Sequence, residues 1–221
     1  MRIADLNWMQ LEAYLERDDR IVLPLGSTEQ HAFLSLATDA ILAERVAVEA
    51  AEPLGVPVLP ALAFGITPYF AGFPGSPSIK VETYIDFVRD IVESLRGQGF
   101  RRFLLVNGHG GNRPVEALAG PHITVHHWWE APKTRAIVDQ VDPGASHASW
   151  MESFPWTRVA GVVFPVERKP ATPRVSEDPR EVRARAGDGS FGGWYSRPDD
   201  DVMRLWRTGV EETREVLANL K

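Results

Sequence analysis

At 221 residues, with 44% hydrophobic and 24% charged content, the chain has the make-up of a soluble globular protein able to build one sizeable core. A net charge of -6 and a pI near 5.5 argue against a nucleic-acid binder, and the lack of a basic amphipathic run argues against a membrane surface as partner. With zero cysteines the chain has no disulfide, thiolate zinc site or cysteine nucleophile, so a transition-metal site has to be built from His, Asp and Glu.

In chain order, Met1 to Trp8 shows no basic stretch leading into an apolar run, so a secretory signal is not expected. Nor do eighteen apolar residues follow one another anywhere, and a cytoplasmic location is the expectation. Ile21-Val22-Leu23-Pro24-Leu25 reads as a buried strand, and the Ala- and Glu-rich residues 39–53 as a helix. Val56 to Pro60 resembles a short strand weakened by its prolines. Over 82–96, Ile85, Val88, Val92 and Leu95 share one helical face, with Phe87 and Ile91 beside them, and Gly97 and Gly99 supply the stop. Phe103 to Val106 has the continuous apolar character of a strand in a parallel sheet. Residues 123–125 and 159–163 are further strand candidates, and the apolar positions from Leu205 to Leu220 mark a C-terminal amphipathic helix. Strands alternating with helices predict an α/β fold with a mostly parallel sheet, carried by a single domain over 1–221. Within it, 164–200 is a long connection rich in proline, glycine and charge.

Three motifs carry candidate chemistry. Directly after the first strand, Glu29 and His31 stand two apart, and an extended backbone points both the same way. Asp39 opens the next helix, where it serves either as an N-cap or as a carboxylate returned to the strand end. After the strand at 103–106, Asn107-Gly108-His109-Gly110-Gly111-Asn112 sets three glycines around one histidine. That pattern suits close backbone approach to a ligand, with Gly110 and Gly111 amides facing an oxyanion; it equally suits a turn with Asn112 capping a helix. Third come His147 and Glu152, which read otherwise as a helix start capped by Ser146. His122, His126 and His127 are taken as structural, and Trp128, Trp129, Trp150 and Trp156 as possible pocket walls.

In this order, each motif near a strand end, the sequence resembles the creatininase (creatinine amidohydrolase) family. Pro24-Leu25-Gly26-Ser27-Thr28-Glu29-Gln30-His31, Thr38-Asp39, Asn107 to Asn112, His147-Ala148 with Glu152, and Gly72-Phe73-Pro74-Gly75-Ser76 carry the likeness. The resemblance implies a three-layer αβα sandwich, assembly as a homo-oligomer (a homohexamer), and a divalent metal centre of two ions, Zn, Mn or Fe. Glu29 and His109 would ligate one ion and His31 the other, with Asp39 bridging. His147 would be general acid or base, and Gly110 and Gly111 would stabilise the oxyanion. The implied activity is metal-dependent hydrolysis of a non-peptide C–N amide bond through a metal-bound water, in a cyclic, formylated or peptide-like small molecule.

The chain also departs from the family pattern. Gly111 stands where creatininase has a second-metal glutamate, so Glu152 becomes the substitute ligand and creatinine is disfavoured as substrate. The segment His31 to Leu36 is one residue short and lacks a second histidine, Phe70 replaces a frequent histidine, and Trp150 a frequent acidic residue. These changes suit a more apolar substrate. They also leave open an alternative, a catalytically altered member that binds a small molecule or partner without hydrolysis.

Overall fold

Three apolar runs assemble into a parallel sheet, and the alternation of their side chains decides which helices cover each face. The computed structural model describes residues 1–172 and 178–221. Strand β1 (Arg20–Leu25) pairs with β2 (Arg102–Asn107), and β2 with β3 (Ile123–His127), in the order β1-β2-β3. Val22, Leu104 and Val106 point to one face, where they pack with α2 (Thr38–Ala51) and α6 (Asp199–Ala218). Ile21, Leu23, Leu25, Phe103 and Leu105 point to the other, against Tyr14 of α1 (Trp8–Leu15) and the buried line Tyr84, Val88 and Val92 of α3 (Val81–Gly97). The result is the expected αβα sandwich.

Several expectations need correction. Residues 56–62 do pair along the free side of β1, through isolated bridges Val22–Val58 and Leu25–Leu62, but Pro57 and Pro60 prevent a regular ladder. No strand forms at 159–163: Gly161 sits at φ +79, the run turns, and Val163 is 85% exposed. On α3, Phe87 lies beside the apolar stripe yet faces outward, 54% exposed. The motif around His109 leads into a 3-10 helix (Gly110–Leu118) rather than an Asn112-capped α-helix, and Trp150–Glu152 is another 3-10 turn, without a Ser146 cap.

Positions 173–177 of the long connection lie outside the described residues. Its remainder is well anchored and contains α5 (Pro179–Ala186), which begins at Asp178, whose side chain accepts from the Arg180 amide. Buried Asp142 accepts from Arg168 at 2.8 Å and from the Trp194 amide at 3.0 Å, and Lys169 pairs backbone to backbone with Gly193.

Helix α4 (Pro132–Val141) has its start satisfied from α6: Glu212, only 6% exposed, accepts the amides of Lys133 and Thr134 at 2.8 and 2.7 Å and the Thr134 hydroxyl at 2.7 Å. Glu212→Ala leaves those donors buried without an acceptor and is expected to cost about 1–3 kcal/mol. Thermal unfolding should then fall by several degrees, and an unchanged midpoint would contradict this role.

Candidate metal centre

Leu25 and Asn107 lie opposite each other at the carboxyl ends of β1 and β2, so the segments leaving both strands meet over one edge of the sheet. Gly26 makes the first crossing possible, because a Cβ there would stand 2.4 Å from the Ala40 Cα in the first turn of α2. The close approach sets Glu29 and His31 above Asp39. Asp39 does not cap α2: Ala37 holds that position, and the Asp39 carboxylate turns inward to accept from Ser27 Oγ at 2.8 Å.

Four side chains gather around that carboxylate. Its Oδ1 is 3.0 Å from His31 Nε2, and its Oδ2 is 2.9 Å from His109 Nδ1. Glu29 Oε1 is 3.3 Å from His109 Nδ1, and Glu152 Oε2 is 3.8 Å from His31 Nε2. The donor atoms form three overlapping clusters, two of which share Asp39: Glu29, Asp39 and His109; His31, Asp39 and Glu152; and Glu29, His31 and His147. His147 joins from the side, with Nδ1 3.7 Å from Glu29 Oε1 and its ring 4.4 Å from that of His31.

Whether these residues suit a cation can be read from their hydrogen bonds. A backbone carbonyl only accepts, so His31 Nδ1 carries the hydrogen it shares with the Glu29 carbonyl at 3.2 Å, and His109 Nε2 the one it gives to the Ile66 carbonyl at 2.9 Å. In each ring this frees the nitrogen aimed into the cluster, the arrangement by which outer contacts fix a metal-binding tautomer. Asn107 steadies His109 further, accepting its amide at 3.1 Å and donating to its carbonyl at 2.8 Å. Among the described residues, His31 Nε2 and Glu29 Oε2 are buried yet make no hydrogen bond. Buried polar atoms without partners are rare in folded proteins, and two in one cluster of N and O donors fit a divalent cation.

Protons take over where no cation is present. Burial works to lower His31, but Asp39, Glu152 and Glu29 outweigh it and raise the imidazole to about 10. Burial opposes His109 too, and Glu29 and Asp39 raise it well above its ordinary value. Asp39 resists burial through both histidines and is held below the usual carboxylate range. Burial pushes Glu29 up, and Glu152 up to about 7. Burial, then the charge of His31, drives His147 well below an ordinary histidine.

A cation entering the clusters has to displace these protons. Below pH 7 Glu152 carries one, and His31 keeps one until about 10, so affinity should strengthen as pH rises through this window. Calorimetry near about pH 7.5 in buffers of different ionisation enthalpy is expected to show release of at least about one proton per chain. A binding heat independent of buffer would contradict it.

A cavity of about 250 Å³ opens onto the clusters, lined by Gly108 to Gly111, Phe70, Trp129, Met151 and His147 among others. Arg135 and Glu130 stand at its rim, each ion-paired, with Asp139 and Arg113 respectively. A larger groove of about 690 Å³ beside β3 and α6 contains none of the ligand clusters, so the chemistry belongs to the smaller cavity. Of the four tryptophans expected as walls, only Trp129 lines it. Trp128 and Trp150 are core residues, and Trp156 stacks on Phe154 beneath the Arg45 guanidinium.

Gly111 has a steric reason to be glycine. A Cβ there would lie 1.9 Å from the Ile66 carbonyl oxygen and 2.4 Å from His109 Nε2, so any side chain would break the bond that orients His109. The carboxylate near His31 instead comes from Glu152, steadied by the Ala148 amide at 2.7 Å. Ser27, Gln30 and Phe191, outside the candidate residues, also reach the centre, and His127 has the structural role expected of it. Ser27 and Gln30 lie inside the first motif, and Phe191 inside the glycine-rich run. His127 bridges Glu116 and the Asn107 amide at 2.7 and 3.0 Å, a link across 20 residues that no local pattern reveals.

The sequence profile of creatininase, described as creatinine amidohydrolase, matches residues 4–193. A creatinine amidohydrolase of Pseudomonas putida is 30% identical over 162 residues, 64% of this chain and 62% of that protein. A 3-dehydro-scyllo-inosose hydrolase of Thermotoga maritima is 34% identical over 103 residues (46% of this chain, 33% of that one). A mycofactocin precursor peptide peptidase of Mycolicibacterium smegmatis is 39% identical over 106 residues (45% and 42%). The matches thus span from a third to under two thirds of these relatives' lengths. The structure superposes on a W154F mutant creatininase with a TM-score of 0.82 at 21% identity, over 98% of this chain and 97% of that one. With motifs, fold and profile in agreement over most of its length, the chain belongs to the creatininase family.

Proposed function

We propose that this chain is a metal-dependent amidohydrolase that cleaves a C–N bond of a small molecule at a centre of two divalent ions. One observation carries the proposal: two ligand clusters share Asp39, while His31 Nε2 and Glu29 Oε2 stay buried without a hydrogen bond among the described residues. Glu29, Asp39 and His109 would hold one ion, and His31, Asp39 and Glu152 the other, with Zn, Mn and Fe suited to these donors. Such a pair supplies Lewis acidity, activating water at neutral pH and polarising an amide carbonyl.

The chain's own groups do the rest. Held neutral by burial, His147 accepts a proton from the attacking water and returns it to the leaving nitrogen. Gly110 and Gly111 begin a helix, where the first amides lack intrahelical acceptors, and they line the cavity ready to bind a developing oxyanion. The three relatives are named for hydrolysis of different molecules, and one is a peptidase, so the restriction to non-peptide bonds is dropped; cyclic, formylated and short peptide amides all belong to the candidate class.

A second reading, binding without hydrolysis, draws on Phe70, whose ring stacks on His147 at 4.6 Å and 19° and narrows its access. Protein reconstituted with Zn, Mn or Fe and screened against lactams, formamides and short peptides decides between them. The proposal expects bound metal and turnover that chelation abolishes. Metal binding with no turnover across the panel favours the second reading, and absence of metal overturns the site.

A further inference from the structure

Asn107, the last residue of β2, is fully buried, and its side-chain amide is shared between the loop of His109 and the end of β3. Its Oδ1 accepts from the His109 amide at 3.1 Å, and its Nδ2 donates to the His109 carbonyl at 2.8 Å. A backbone amide only donates and a backbone carbonyl only accepts, so these two bonds fix which end of the side chain is nitrogen. The remaining Nδ2 hydrogen goes to His127 Nδ1 at 3.0 Å. That nitrogen is therefore the acceptor, and the ring's hydrogen sits on Nε2, from which it goes to Glu116 Oε1 at 2.7 Å.

The same imidazole meets Trp129 edge to face, with centroids 5.5 Å apart and planes at 71°, and Trp129 lines the cavity. Glu116 belongs to the 3-10 helix that begins at Gly110 and Gly111. Arg113 of that helix reaches Glu116 at 3.5 Å and pairs with Glu130, the neighbour of Trp129. One ring at the end of β3 thus joins the loop of His109, the helix that follows it and an aromatic wall of the cavity.

The bond to Asn107 matters most, because it ends on a buried donor. With no acceptor at that place, Asn107 keeps an unpaired buried N–H or turns away from His109 to find a partner. Either response loosens the two bonds that hold the His109 backbone.

We infer that His127 is a positioning residue of the metal centre: by accepting from Asn107, it keeps the loop of His109 in the shape that sets His109 Nδ1 beside Glu29 and Asp39. That an ion binds there rests on the hydrolytic reading above; the hold of His127 on the loop does not.

Two substitutions divide the ring between its nitrogens. In His127→Asn a side-chain oxygen takes the place of Nδ1, which keeps the acceptor for Asn107 and gives up Glu116. In His127→Gln a side-chain nitrogen takes the place of Nε2, which keeps Glu116 and gives up Asn107. Hydrogen exchange of the His109 amide in metal-free, full-length protein reads the hold directly, with the amides of Val88 and Val92 in α3 as the reference for global opening. Relative to that reference, exchange at His109 is expected to quicken roughly 10-fold in His127→Gln and to stay within about 3-fold of wild type in His127→Asn. Affinity for Zn or Mn should follow the same order, falling roughly 10-fold in His127→Gln and recovering in His127→Asn.

An unmoved His109 amide in His127→Gln, or equal quickening in the two variants, overturns the inference. So does a change in which His109, Val88 and Val92 move together, the mark of lost stability alone. Should a variant not fold, long-range proton–nitrogen NMR of the wild-type His127 ring still decides: a hydrogen on Nε2 is expected, and one on Nδ1 would remove the acceptor on which the role depends. Exchange in the expected order, in a protein that takes up no metal, would sink the metal centre alone.

Discussion

Replacing Asp39 with alanine is expected to remove both ion sites together and to lower hydrolysis by roughly 10³-fold or more, about 4 kcal/mol of barrier. No other single side chain belongs to both clusters, since Oδ1 serves His31 and Oδ2 serves His109. Glu152→Gln should therefore behave differently, weakening the His31 cluster while Glu29, Asp39 and His109 still hold an ion. Losing the buried anion between two histidines also destabilises the metal-free fold. Asp39→Asn, which keeps the shape, separates folding from ligation. Metal content by elemental analysis, read beside the melting temperature, checks the pair of variants. Full metal retention in Asp39→Ala would remove the bridging role.

The second large effect is expected at Gly111. Gly111→Ala drives a methyl group onto the Ile66 carbonyl and His109 Nε2, at 1.9 and 2.4 Å before relaxation. Overpacking of this kind costs roughly 1–3 kcal/mol or more, which in a chain of this size lowers the melting temperature by several degrees. Metal affinity should fall as well, because the Ile66 carbonyl is what holds His109 with Nδ1 free. Gly110→Ala is the control, for no described atom lies within 4 Å of its Cβ position. Thermal unfolding and metal titration of both variants check the contrast. Equal behaviour of the two would show that His109 does not depend on this close contact.

Much of the site was legible because its chemistry is local in sequence. Glu29 and His31 follow β1, His109 follows β2, and parallel strands put both exits at one edge. Asp39 was ambiguous in the sequence since a carboxylate in a first turn caps or ligates with equal ease; the glycine at 26 decides, by letting the strand end ride over α2. The strand expected at 159–163 failed for a comparable reason. Its valines have the right propensity, but Gly161 turns the chain and no core lies beneath them. Alternation could not reveal how 56–62 pairs, because two prolines interrupt the ladder while the remaining contacts persist. The contacts of Gln30, Phe191 and His127 were out of reach for another reason. They depend on partners 20 to 159 residues away, and only folding brings those together.

Two ions sharing Asp39 are tested most directly by a crystal structure of the metal-loaded protein with anomalous scattering at the metal edge. It should show two peaks, one within about 2.0–2.2 Å of Glu29, Asp39 and His109 atoms and the other at similar distances from His31, Asp39 and Glu152. A single peak, or a second ion to which Glu152 contributes no oxygen, would contradict the shared site.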